Sequence, residues 1–154
     1  MASAISGKGS LTVRGAGEFE FSGKHTYEGG TFIHDAVLRI VGELGMGDLT
    51  LSDGAKIQQI EGTNTIGSLT LKTDSSLQLS NGTLAFGDSS ATQWTPGCKL
   101  TITGEIRPEV LRFGEIANAL TSAQLRQISC NNRPVKLTQN GYLEYINGTI
   151  MILR

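Results

Sequence analysis

An all-β solenoid, a coil of short stacked strands closed at its C-terminal end by a cap with one short helix, is the fold this sequence predicts. A short theme recurs at intervals of about twenty residues, as Gly30-Thr31-Phe32-Ile33, Asp48-Leu49-Thr50-Leu51 and Ser68-Leu69-Thr70-Leu71, the mark of similar units that stack to share a core. Each is followed, after a polar turn, by a second alternating run: Val37-Leu38-Arg39-Ile40, Lys56-Ile57-Gln58 and Leu77-Gln78-Leu79. Twenty glycines, three prolines and 18% charged residues in 154 describe a chain of many turns. An antiparallel sandwich also uses short strands between turns, but it has no need of a motif returning at a constant interval. The recurrence favours the coil and predicts an internal column through Ile33, Leu51 and Leu71.

The elements follow in order. Leu11-Thr12-Val13 and Phe19-Glu20-Phe21 read as two half-buried strands, each turning one polar residue outward between two inward ones. Ser22-Gly23 and Gly29-Gly30 mark corners around Lys24 to Glu28. Residues 7–87 are read as repeat coils and 88–154 as the last coil and cap, within one domain spanning 1–154. The polar run Asp88 to Gly97 ends in a Pro-Gly turn, and Lys99 to Thr103 resumes strand alternation. In Leu120-Thr121-Ser122-Ala123-Gln124-Leu125, Thr121 and Gln124 have the spacing of a reciprocal capping box, and Leu120 can staple onto Leu125. Leu125 and Ile128 are expected on one helical face over the end of the stack. Val135 to Leu137, Tyr142 to Ile146 and Thr149 to Leu153 read as closing strands, with turns at Asn140-Gly141 and Asn147-Gly148.

A formal net charge of −1 offers no footprint for nucleic acid, and apolar runs of four or five residues fall far short of the ~20 that cross a bilayer. The start, Met-Ala-Ser-Ala-Ile-Ser, has no basic segment followed by an apolar one, so no signal peptide is expected in these residues.

Gly7-Lys8-Gly9-Ser10-Leu11-Thr12-Val13-Arg14-Gly15-Ala16, then His25-Thr26-Tyr27-Glu28-Gly29-Gly30-Thr31-Phe32-Ile33 and Ala36-Val37-Leu38-Arg39-Ile40, resemble the autotransporter-associated β-strand repeat of bacterial passenger regions. Leu111-Arg112-Phe113-Gly114, Leu120 to Ser129 and Asn140-Gly141-Tyr142-Leu143 are similar to the segment that often closes such proteins. The resemblance implies a right-handed parallel β-helix, secreted or held at a bacterial cell surface, serving as a stalk or adhesive region toward glycans or proteins of host or neighbouring cells. It implies no catalytic residues and no cofactor.

The residues themselves offer little chemistry. Asp48, Asp53, Asp74 and Asp88 stand beside Gly, Ser or Thr, where turn duty is the default. His25 and His34 lack a Cys or third His at metal-binding spacing and read as exposed loop residues. Cys98 and Cys130 fit neither a zinc nor a redox spacing; free buried thiols are the default, with a disulfide left open. Asn81 and Asn147 read as turns rather than glycosylation sites. Trp94, Tyr27, Tyr142 and Tyr145 would form a sugar-stacking surface if exposed together. Two further readings stand beside the structural module: a carbohydrate-binding or carbohydrate-active β-helix, and a scaffold that self-assembles through a flat end near Leu11 to Phe21.

Overall fold

The computed structural model describes residues 4–104 and 106–146; the expected strand from Thr149 to Leu153 and the turn at Asn147-Gly148 lie outside them. The first coil holds β1 (Ser6–Gly7), β2 (Leu11–Arg14) and β3 (Glu18–Phe21), and the second holds β4 (Thr26–Tyr27), β5 (Thr31–His34) and β6 (Val37–Ile40). The third comprises β7 (Leu49–Ser52), β8 (Lys56–Gln59) and β9 (Thr63–Ile66), and the fourth β10 (Leu69–Leu71), β11 (Ser75–Leu79) and β12 (Thr83–Phe86). After β13 (Leu100–Gly104) and β14 (Leu111–Phe113) come helix α1 (Ser122–Arg126), β15 (Ile128–Cys130), β16 (Val135–Leu137) and β17 (Leu143–Tyr145).

Every strand pairing between coils is parallel, so the chain is a β-solenoid. Three faces result: β2-β5-β7-β10, then β3-β6-β8-β11-β13-β15, then β9-β12-β14. The register places Val13, Ile33, Leu51 and Leu71 in one column, as the repeat predicts. A second column runs Phe19, Leu38, Ile57, Leu77, Ile102 and Cys130. Side chains alternate across a strand, so one residue in two enters the interior, and the columns merge into a single core. Glycines make room where corners stack closely: a Cβ on Gly42 would collide with the carbonyl oxygen of Gly23.

Polar groups enter this core with partners. Gln59 replaces an aliphatic residue in the column between Ile40 and Leu79; its amide nitrogen donates to the Glu61 carbonyl at 2.9 Å. Asn64 accepts from the Leu44 amide at 2.7 Å and donates to the Gly42 carbonyl and to Gln59 Oε1. Asn64 thereby links the third face across a rung where the chain forms no strand. Two of the aspartates reach beyond their own turns, while Asp88 stays within its own. Asp48 and Asp74 accept from the amides of Ser68 and Lys99, tying one coil to the next. Asp88 accepts from both the amide and the hydroxyl of Ser90, which holds its carboxyl below the usual range.

One strand expectation and one helix expectation fail. Phe19 does occupy an interior column, yet it is 40% exposed because β3 is the end strand of its sheet among the described residues. Ile128 belongs to β15, where it pairs with Leu100, and so shares no helical face with Leu125. The helix ends at Arg126 because the amide of Gln127 closes its last turn on Gln124 and Leu125, and the chain then extends to join the second face.

Candidate ligand cleft at the cap

The C-terminal end of each face is closed by a different device. On the first face, the polar run after Gly87 lies along the outer edge of β10. The Leu69 amide donates to Ser89 Oγ at 2.8 Å, its carbonyl accepts from Thr92 Oγ1 and Trp94 Nε1 at 2.8 and 2.7 Å, and the Leu71 carbonyl accepts from the Thr95 amide at 2.9 Å. Gln124 then holds that run in place. Its side-chain oxygen accepts from the Thr121 amide while Thr121 Oγ1 accepts from the Gln124 amide, and its buried Nε2 donates to the carbonyls of Ser89 and Thr92. Leu120 is buried beside it, and Leu125 packs half-buried against the core. On the second face, Cys130 and Arg133 exchange main-chain bonds. On the third, the Phe113 amide donates to the Gly141 carbonyl at the turn leading into β17.

Between this closure and the β13–β14 connection lies a cleft of about 300 Å³, bordered by Ile106, Arg107, Pro108, Glu109, Thr138, Asn140 and residues 142–145. It brings together Tyr142 and Tyr145, both half-buried. Tyr145 is oriented by the Asn131 side-chain amide, which donates to its hydroxyl at 2.8 Å, and by the Arg133 guanidinium 3.9 Å from its ring centre. Arg112 lies 5.6 Å from the centre of the Tyr142 ring. Glu109, on the opposite lip, has a positive φ of 67°, a strained conformation for a residue with a side chain. Tyrosine side chains beside carboxylate, amide and hydroxyl groups are the residue types with which a sugar ring can stack and hydrogen-bond.

The four aromatic residues do not form one surface. Trp94 is 6% exposed and serves the β10 edge, and Tyr27 is 3% exposed with its hydroxyl 2.6 Å from Thr31 Oγ1. Burial pushes the Tyr27 phenol up. The expectation of exposed histidines also fails for His25. It is 2% exposed, accepts the Ile5 amide at Nδ1, donates from Nε2 to the Ser22 carbonyl and lies against Phe21. A short link between coils needs its amides satisfied, and the imidazole does so. His34 is half-buried beside Ser52 and Asp53. Cys98 and Cys130 are free thiols. Among the described residues, no three His, Cys, Asp or Glu side chains gather as metal ligands, and no helix is long and apolar enough to cross a membrane.

The chain matches no model of a known family, no curated protein and no solved structure. Its likeness to passenger repeats therefore rests on the quoted sequence motifs alone.

Proposed function

We propose that this chain is a non-enzymatic, passenger-like module of a bacterial surface or secreted protein, which extends a rigid β-solenoid and adheres weakly through repeated outward side chains. The observation that carries this reading is the register of the outer ladders. Thr12, Phe32, Thr50 and Thr70 stand in one line, and Glu20, Arg39, Gln58, Gln78 and Thr103 in another. Side chains held one strand spacing apart on a stiff support present many weak contacts at once, and avidity then exceeds any single affinity. Beads coated with the module should bind bacterial or host cells, and changing Phe32, Arg39 and Gln58 together to Ser should lower binding about tenfold or more. Equal binding by both coatings would sink the reading.

A carbohydrate-binding reading is favoured by one specific feature, the shared position of Tyr142 and Tyr145 in the cap cleft. A glycan array with wild type and Tyr142→Ala tests it, and a reducing-sugar assay with Glu109→Gln asks whether the cleft also cleaves what it binds. An array without a hit that Tyr142→Ala removes would discard this second reading.

A further inference from the structure

We infer that the N-terminal end of the solenoid is a self-complementary edge, and that two copies of this chain join head to head by pairing β2 of each with β3 of the other. Both strands stand at the ends of their sheets, and among the described residues neither has a partner on its outer side. Main-chain groups alternate between the two edges of a strand. The Leu11 amide donates to the Gly30 carbonyl, and the carbonyls of Gly17 and Phe21 accept from Val37 and Val41. That phase turns the main chain of Thr12 and Arg14, and of Glu18 and Glu20, toward the open edge.

A two-fold axis through the corner at residues 15–17 sets β2 antiparallel to the β3 of the second copy. One register then satisfies every constraint together: Arg14 opposite Glu18, Val13 opposite Phe19, Thr12 opposite Glu20 and Leu11 opposite Phe21. Edge-facing residues meet edge-facing residues. Interior residues meet interior residues, since Val13 and Phe19 occupy interior columns whose next members, Ile33 and Leu38, are fully buried. The outward pair Arg14 and Glu18 is of opposite charge. The symmetry repeats the ribbon, and the 40% exposed Phe19 of each copy is covered. An isologous contact of this kind closes on itself. Head-to-tail stacking is disfavoured because, among the described residues, the far edges of the three faces already carry contacts from Trp94 and its neighbours, from Arg133 and from Gly141. Each coil climbs one strand spacing per circuit, so the two β1 strands would meet on the remaining side, and pairing lifts the exposed Ser6–Gly7 off β4.

Sedimentation equilibrium of the full chain across concentrations, with circular dichroism to verify folding, tests this. The expected result is a monomer–dimer equilibrium without larger species. Arg14→Glu should weaken it about tenfold or more, as should Glu18→Arg, because like charges then face each other twice; the chain carrying both changes should regain dimerisation. Hydrogen exchange should show amides 12, 14, 18 and 20 gaining protection with concentration, while Thr26 and Glu28, which donate to Ile5 and Gly7, lose it. A folded monomer at all concentrations, growth into open-ended polymers, or failure of the double change to restore pairing would each overturn the inference.

Discussion

The two ends of this solenoid solve the same problem differently. Phe19 and Cys130 are the terminal members of one interior column, yet Phe19 is 40% exposed and Cys130 fully buried. At the C-terminal end the chain devotes a polar run, a capping helix and an antiparallel hairpin to covering strand edges and core. At the N-terminal end, among the described residues, only the two-residue β1 lies beyond the first full rung, and β2 and β3 have no strand on their outer side. Unpaired strand edges invite association, so the closed end confers stability and the open end confers a place to join. Stability in a stacked repeat is set by each coil and its neighbours, and the comparison can therefore be broken at either end separately.

Removing the cap should have the largest effect. A chain ending before Leu111 loses the burial of Leu111, Phe113, Leu120, Ile128, Val135, Leu137 and Leu143. At ~1.5–3 kcal/mol for each side chain, this is comparable to or larger than the ~5–15 kcal/mol that typically separates a folded domain from its unfolded state. The expected product is aggregated or unfolded by circular dichroism, whereas a chain lacking residues 1–23 should remain folded because β5 and β6 then become the edge. A soluble, cooperatively melting chain without its cap would show that closure contributes little.

Within the column the contrast can be measured at single residues. Leu38→Ala should cost ~2–5 kcal/mol in chemical denaturation, the range for a buried leucine whose cavity only partly collapses. Phe19→Ala, one rung higher, should cost less than half as much in the monomer, since a large part of its ring already meets water. Equal costs would mean that the end coil is covered after all. Gln124→Ala comes next, at ~1–3 kcal/mol, because it takes the Gln124 donor from the Thr92 carbonyl, removes one of the donors to the Ser89 carbonyl and breaks half of the capping box. Thr121→Ala should lose ~1 kcal/mol, the ordinary worth of a helix N-cap.

Periodicity made the coils legible. Ile33, Leu51 and Leu71 announced a column because a register imposed by stacking writes itself into the sequence at a constant interval. The cap could be read only where its signal is local, as in the Thr121–Gln124 box, whose partners lie three residues apart. What stayed hidden depends on distant pairs: Gln124 on Ser89, Trp94 on Leu69 and His25 on Ile5. A polar side chain that satisfies a strand edge resembles any solvent-facing polar residue until the edge is placed beside it. For the same reason Trp94 and Tyr27 looked available for a ligand although both are buried, and Tyr142 and Tyr145 gave no sequence signal that they share a cleft.

The last effect reports the closure directly. Cys130 lies at the capped end of the column, and burial raises its thiol pKa, an effect that its contact with the Tyr145 hydroxyl and the charge of Arg133 only partly offset. A raised thiol pKa means less of the reactive thiolate at neutral pH, and the fully buried sulfur is also out of reach. Cys98 is half-buried at the surface of the polar run. A disulfide-exchange reagent at pH 7 should therefore label Cys98 readily and Cys130 only as fast as the cap opens. Tyr145→Ala should speed the slow phase and leave the fast one unchanged, because it loosens the hairpin over Cys130 and touches nothing near Cys98. If both thiols react at one rate in the native protein, the C-terminal end is as open as the N-terminal end and the contrast between them fails.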